Sequence, residues 1–372
     1  MAAKDRTLTQ TLLLVGGGHA HVAVLADWIA RGVPADARTV LLTPQPTLRY
    51  SGMVPGWIVG QHGRDQALVD VAALAQRAGV ELILDSCTGL DPDARRVRTA
   101  GGEEIAFDFA SFDTGGEGRG AALLGDNPRL IDVRPIGAFV DRLAALPALA
   151  HVVVAGGGAG GVELAFALRN RAAGQAQVTL VTGRSGLLPG FAPAVQRRVA
   201  AALVRQQIAM QVDDARIAEG EIMAGARSLE PTDAIIAALG SAAPRWVRES
   251  GLAVDDAGFI SVNQHHQSPS HPHIFAAGDV AARTDRALAH SGVHAVFAGP
   301  VIAANLRAVL AGEAPLASYH PRAHSLYLMN TGDGSAIASY GPFTAQGRWV
   351  LRLKHWIDRL WIEKYAALAK ES

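Results

Sequence analysis

In "VVVAGGGAGGVELAF", Gly156, Gly158 and Gly161 fall in the spacing G-x-G-x-x-G, and Glu163 follows two residues later. That spacing suits phosphate binding. The first glycine makes a tight turn, the second lets backbone approach a pyrophosphate, and the third allows close contact between helix and strand. A helix that begins there points free N–H groups and positive partial charge at the anion. Upstream, "LLLVGGGHAHVAVL" keeps the first two glycines, Gly16 and Gly18, but sets His21 in the third position and His19 beside it. A histidine there implies slightly wider helix packing, or an imidazole turned towards solvent or ligand. His19 and His21 are either polar residues of a first helical turn or direct contacts to a cofactor.

Both turns need a strand before them and a helix after them, and the sequence supplies these. Apolar runs "TLLLV" and "HVVVA" lead in, helical patterns lead out, and second apolar runs, "TVLLT" at 39–43 and "QVTLVT" at 177–182, close right-handed βαβ units. The expected fold class is α/β, with two Rossmann-like dinucleotide-binding units. Each half ends in an apolar strand and a glycine turn, "SFDTGG" and "IAALGS". A later strand, "IFAAGDVA", ends in Gly-Asp before a helical pattern from about Val293 to Leu310; the tail reads as two strands and an amphipathic helix from about Trp349. Neither second strand ends in an acidic residue for a ribose. In "LVTGRS", Arg184 is either an acceptor for a 2′-phosphate, favouring NADPH, or an exposed arginine after a strand.

The composition narrows the function classes. With 372 residues, zero formal net charge and 49% hydrophobic residues, the chain has material for two cores. Its basic charge is dispersed, which argues against nucleic acid as a partner. Cys87 is the only cysteine, so an intrachain disulfide, a CxxC pair and a cysteine metal cluster are excluded; redox chemistry needs a bound cofactor, and a reducing cytoplasm is the expected location. The first apolar run breaks into glycines too soon for a signal peptide or a membrane span, and no later window reads as a span. The histidines of "NQHHQSPSHPHIF" lie in a loop without regular ligand spacing and read as a polar turn, with no metal expected.

Two dinucleotide units, the "TGG" and "LGS" turns and "IFAAGDVA", in that order, resemble the pyridine nucleotide-disulfide oxidoreductase superfamily of flavoproteins over nearly the whole chain. The resemblance implies an FAD domain (1–135 and 250–318), an inserted NAD(P)H domain (136–249) and a small α+β C-terminal segment (319–372). It implies that FAD is held by Gly16, Gly18, His19 and His21, by Thr114 and Gly115, and by the Gly278-Asp279 turn, with Asp279 accepting from a flavin ribityl hydroxyl. Gly156, Gly158, Gly161 and Arg184 then serve NAD(P)H. More narrowly, "GGGHAHV", "YSGMVPGWIVG", "GVHAVFAGPVIAANLRAVLAG" and "LKHWIDRLWIEKY" resemble the NADH dehydrogenase-like branch that also occurs fused to selenide, water dikinase, in which a histidine at the third glycine position is usual. Disulfide reductases carry CxxxxC and sulfide:quinone oxidoreductases use cysteines; this sequence has neither. Where relatives tend to read "KAG", it has His290, Ser291 and Gly292.

Glu163 matches a glutamate that in related flavoproteins lies beside nicotinamide and flavin. It orients the carboxamide or pairs with a cation, or else is a helix N-terminal carboxylate favoured by the dipole. No lysine lies between Lys4 and Lys354, so the expected cation is Arg49. Ser51, Gly52 and Met53 are assigned to the flavin neighbourhood as small residues of a close-approach loop, and Gly292 and Val293 to its pyrimidine end through backbone N–H groups. The expected activity is FAD-dependent NAD(P)H dehydrogenation with a quinone or other small acceptor. The alternative is a redox-sensing or interaction flavoprotein with slow turnover; a link to selenium metabolism is an analogy of context. Trp349, Leu353, Trp356, Ile357, Leu360 and Trp361 share one helical face. That face suits the inner surface of the cytoplasmic membrane, the FAD domain, or a second subunit of a homodimer; Lys354 and Lys364 interrupt it and favour packing.

Overall fold

The computed structural model describes residues 10–35, 37–290 and 292–370. β1 (Gln10–Val15) leads into α1 (His19–Arg31), followed by β2 (Ala37–Leu42), β3 (Glu81–Ile83) and β4 (Phe109–Phe112). The plan then repeats in β5 (Leu130–Asp132), β6 (His151–Ala155), α2 (Ala159–Arg169), β7 (Gln177–Val181), β8 (Ala209–Gln211) and β9 (Ala234–Ala237). The chain returns through β10 (Ile274–Ala276) and α3 (Gly292–Ala311), and ends in β11 (Leu326–Asn330), β12 (Ala336–Tyr340), β13 (Phe343–Gly347) and α4 (Arg348–Lys370).

The first sheet has the order β10-β4-β1-β2-β3 and the second β5-β9-β6-β7-β8, every pairing parallel. Parallel strands are covered on both faces, which is why "TLLLV" and "HVVVA" are continuous apolar runs rather than alternating ones. In each sheet the strand order reverses at the central strand, β1 or β6, and opens a crevice at its carboxyl end. Both glycine turns sit there. The edge strand β5 belongs to the second sheet, which therefore draws residues from before position 136.

An 18-residue window of the 20-residue α3 has a mean hydropathy of 1.5, enough by length and composition for a membrane span, where the sequence led to none being expected. Its apolarity has another cause. Ala298, Ile302 and Leu306 share a core with Val24, Leu25 and Trp28 of α1, and Gly299 lies so close to α1 that a Cβ there would be 2.5 Å from the Ala23 Cβ.

β13 was not expected, because "FTAQG" lacks apolar alternation; it pairs antiparallel with β12 and completes a three-stranded sheet. α4 joins this sheet to the first unit. Val350 and Leu351 pack on the sheet, whereas Trp361, Ile362, Tyr365 and Leu368 pack on the core under α1. The single apolar face expected for α4 is thus divided, and Trp349, Trp356 and Leu360 are left exposed.

Candidate functional site

The two glycine turns begin alike. Gly16 has φ +94°, and a Cβ on it would lie 2.4 Å from the carbonyl oxygen of Asp113 at the end of β4. Its counterpart Gly156 has φ +134° and would place a Cβ 2.2 Å from the carbonyl oxygen of Ala238 at the end of β9. Only glycine fits either position. They part at the third position. A Cβ on Gly161 would stand 2.0 Å from the Gly156 carbonyl oxygen. His21 instead donates from Nδ1 to the Gly16 carbonyl at 2.6 Å and accepts at Nε2 from Ser111 Oγ at 2.8 Å, fully buried. Burial lowers its pKa to about 4, against the Gly16 bond, so the ring is neutral. His21 is thereby corrected from a cofactor contact to a support of the loop, because both ring nitrogens are satisfied inside the fold.

His19 differs from it. Its Nε2 is buried without a hydrogen-bond partner, and its ring faces the first residue of α3, 3.8 Å from where a Cβ on Gly292 would be. The ring lies 5.2 Å from Trp361 and 5.8 Å from Tyr50, which stack at 4.6 Å. Burial lowers its pKa to about 4, opposed by Asp279 and assisted by Arg134. Asp279, in the turn after β10, is buried and pairs with Arg134 Nη2 at 2.5 Å; Ser241 Oγ donates to it at 3.4 Å. Thr114 and Gly115 form the turn after β4, Gly115 at φ +74°. These residues fit FAD. Neither Gly16 nor Gly18 has room for a side chain of its own, and the unpartnered Nε2 of His19 is a group that a polar ligand there would satisfy.

Ser51, Gly52 and Met53 form one 3-10 turn. The Gly52 carbonyl accepts from Lys354 Nζ at 2.8 Å, and Nζ also pairs with Asp358 one turn along α4 at 3.2 Å. Lys354 and Asp358 are buried. Glu163 on α2 accepts from the Asn330 N–H at 2.8 Å, while the Asn330 amide donates to Gln61 at 2.8 Å. Burial raises the Glu163 pKa, opposed by Lys354 and the Asn330 bond and assisted by Asp358. Burial works against the Lys354 ammonium, yet Glu163 and Asp358 outweigh it and hold its pKa above the ordinary value. One cation thus serves two carboxylates, and Glu163 is the group pushed towards keeping a proton. Tyr50, whose hydroxyl bonds to Asp358, is raised by burial first and then by Asp358 and Glu163.

Arg49 is not the cation of this cluster. Its Nη1 donates to the Arg64 carbonyl at 2.6 Å, and the charges around it are Arg64, Asp141 and Asp65. Lys354 holds the place, from a position 302 residues beyond Gly52. Gly292 and Val293 open α3. In the second unit, Gly158 is the N-cap of α2, and Arg184 pairs with Asp214 at 3.2 Å and Asp213 at 3.7 Å. Both aspartates lie in the loop after β8. Among the loop histidines, His266 donates to the Ala276 carbonyl and His265 to that of Ala317. Burial pushes the Cys87 thiol up to about 12, the reverse of an activated thiolate.

Comparison with known proteins places this geometry. Ferroptosis suppressor protein 1 of Homo sapiens is 26% identical over 283 residues, 71% of this chain and 72% of that protein. The NADH dehydrogenase-like protein YutJ of Bacillus subtilis (strain 168) is 23% identical over 280 residues, 73% of this chain and 76% of that protein. Among solved structures, the sulfide:quinone oxidoreductase of Aquifex aeolicus shares the fold with a TM-score of 0.76 at 18% identity, covering 97% of this chain and 92% of that one. The pyridine nucleotide-disulphide oxidoreductase family matches residues 10–297, and the chain belongs to that family, as an oxidoreductase whose cofactors are FAD and NAD(P)H.

Proposed function

We propose that the protein is an FAD-dependent NAD(P)H dehydrogenase that passes electrons to a quinone or a similar small acceptor. The observation that carries this reading is the Glu163–Lys354–Asp358 cluster. It brings one residue of the second dinucleotide unit and two of the C-terminal helix to Gly52 of the first. FAD supplies the two-electron carrier between a hydride donor and an acceptor.

The chain's own part is position and charge. Gly16, Gly18, the α1 N-terminus, Asp279 and the Thr114-Gly115 turn would hold FAD; Gly156, Gly158 and the α2 N-terminus would hold NAD(P)H. Lys354, fixed by Gly52 and Asp358, would offer a positive charge to a flavin bound beside the Gly52 turn, suited to the negative charge that reduction develops. Glu163 is the carboxyl suited to hand on a proton, because a quinone takes up two protons with two electrons, and the Asn330 N–H holds its Oε1 in place.

A solved relative named for a quinone supports the acceptor class. The outer face of α4 supports peripheral attachment to a membrane, where quinones partition. Trp349, Trp356 and Leu360 are exposed among the exposed Arg348, Arg352 and Arg359 of the same helix, a composition suited to the headgroup boundary. The test is to reduce the purified protein with NADH without oxygen and add a water-soluble quinone. Reoxidation of the flavin within seconds is expected; flavin that stays reduced would overturn the acceptor.

A further inference from the structure

Asp113 is a charged residue where the second unit has Ala238, and it stands at the centre of the first cradle. Its Oδ2 accepts from the N–H groups of Ala20 at 2.7 Å and His21 at 3.1 Å, two donors of the first turn of α1. Two glycines make room for it. A Cβ on Gly18 would lie 2.3 Å from its Cγ, and one on Gly278 would lie 2.4 Å from its Oδ1. The carboxyl is therefore wedged between the glycine loop and the Gly-Asp turn, the two elements expected to hold FAD.

A pyrophosphate needs the N-terminus of α1, and Asp113 already occupies two of its donors. Two anions at one buried helix end repel each other, and the site lowers that cost by protonating the carboxyl. Among the described residues, no neighbour neutralises it. On α1, His19 and His21 are both lowered to about 4 and stay uncharged; on the Gly-Asp turn, Asp279 is a second carboxylate; Arg134 is engaged with Asp279. On β4, Ser111 is bound to His21.

We propose that Asp113 is a positioning residue of the FAD pyrophosphate site, and that FAD binding is coupled to uptake of a proton by its carboxyl. Burial supports this by raising the Asp113 pKa to about 7, against the bonds from His21 and Ala20 and with help from Asp279. Its protonated fraction therefore changes across neutral pH. FAD affinity is then highest below pH 7 and falls as pH rises, because the charged carboxyl must first take up a proton. The second unit, with Ala238 in place of the acid, has no such group for NAD(P)H. The proposal rests on FAD in the first unit and not on the electron acceptor, since flavin release is read without turnover.

The test is to dilute the purified flavoprotein between pH 6 and pH 9 and follow released FAD by its fluorescence. In the wild type, the dissociation constant weakens with pH, approaching about tenfold per unit above pH 7. In Asp113→Asn, which keeps an acceptor for the two N–H groups, it stays flat. Equal slopes in both proteins, or a flat wild type, would overturn the proposal. If the variant does not fold, the wild type decides alone. FAD release at pH 8 in weakly buffered indicator must free about one proton per flavin, and no proton freed rejects the coupling.

Discussion

The two dinucleotide units build the same turn with different interiors. In the second, Gly161 lies directly against the Gly156 carbonyl and Ala238 fills the end of β9. In the first, a side-chain hydrogen bond from His21 reaches the equivalent carbonyl, and the Asp113 carboxyl takes the equivalent strand end. A glycine turn therefore needs its third position satisfied, either by absence of a side chain or by a side chain that bonds the loop. The first solution adds two titratable groups, His21 and Asp113, inside the glycine turn of the first unit, where the turn of the second has none.

The largest expected effect concerns what joins the two units. Lys354→Met leaves Glu163 and Asp358 without their shared cation; a loss of about 3–5 kcal/mol in stability and a ~100-fold slower hydride transfer are expected, read by urea unfolding and by stopped-flow reduction with NADH. An unchanged rate would remove Lys354 from the site. Next comes Gly161→Ala, which drives a Cβ to 2.0 Å from a carbonyl oxygen. It should cost about 3 kcal/mol and weaken NAD(P)H binding while FAD stays bound. FAD lost with NAD(P)H retained would reverse the assignment of the two units.

A smaller effect separates the units by pH. His19 and His21 sit at about 4 in the folded protein against 6.5 for a free imidazole. The unfolded chain binds protons that the native state refuses, so their contribution is complete above pH 6.5 and is lost as pH falls towards 4. Asp113, raised to about 7, acts with the opposite sign, contributing below its ordinary carboxyl range and losing that contribution as pH rises through 7. The urea midpoint should drop between pH 6.5 and pH 4.5, less steeply in His21→Asn; an identical drop would place the acid sensitivity elsewhere. The smallest effect is at Arg184. Asp213 and Asp214 already oppose it at the surface, so Arg184→Ala should shift the NADPH to NADH affinity ratio less than about tenfold. A larger shift, measured by titration, would make Arg184 the 2′-phosphate receptor.

What the sequence made legible is local. The glycine turns, the Gly-Asp turn and the apolar runs around them are contiguous and carry their physics within a dozen residues. Lys354 carries no such signal. It sits in a helix whose pattern reads as amphipathic, and its partners Gly52 and Glu163 lie far away in the chain. Arg49 stands beside the flavin-type loop in sequence, yet its guanidinium is turned to the Arg64 carbonyl. Asp113 stands inside "SFDTGG", but within that motif the glycine turn after it carries the stronger local signal. Aligning the two halves of the chain on their glycines exposes it, since His21 and Asp113 both stand where the other half has small residues.

The central claim is that the first unit holds FAD, the second holds NAD(P)H, and Lys354 sits where they meet. The most direct test is anaerobic mixing of the purified protein with NADH and, separately, NADPH, while flavin absorbance is followed in the wild type and in Lys354→Met. The account predicts bleaching of the wild-type flavin by at least one nucleotide and bleaching ~100-fold slower in the variant. Flavin that is bound but stays oxidised with both nucleotides would contradict it.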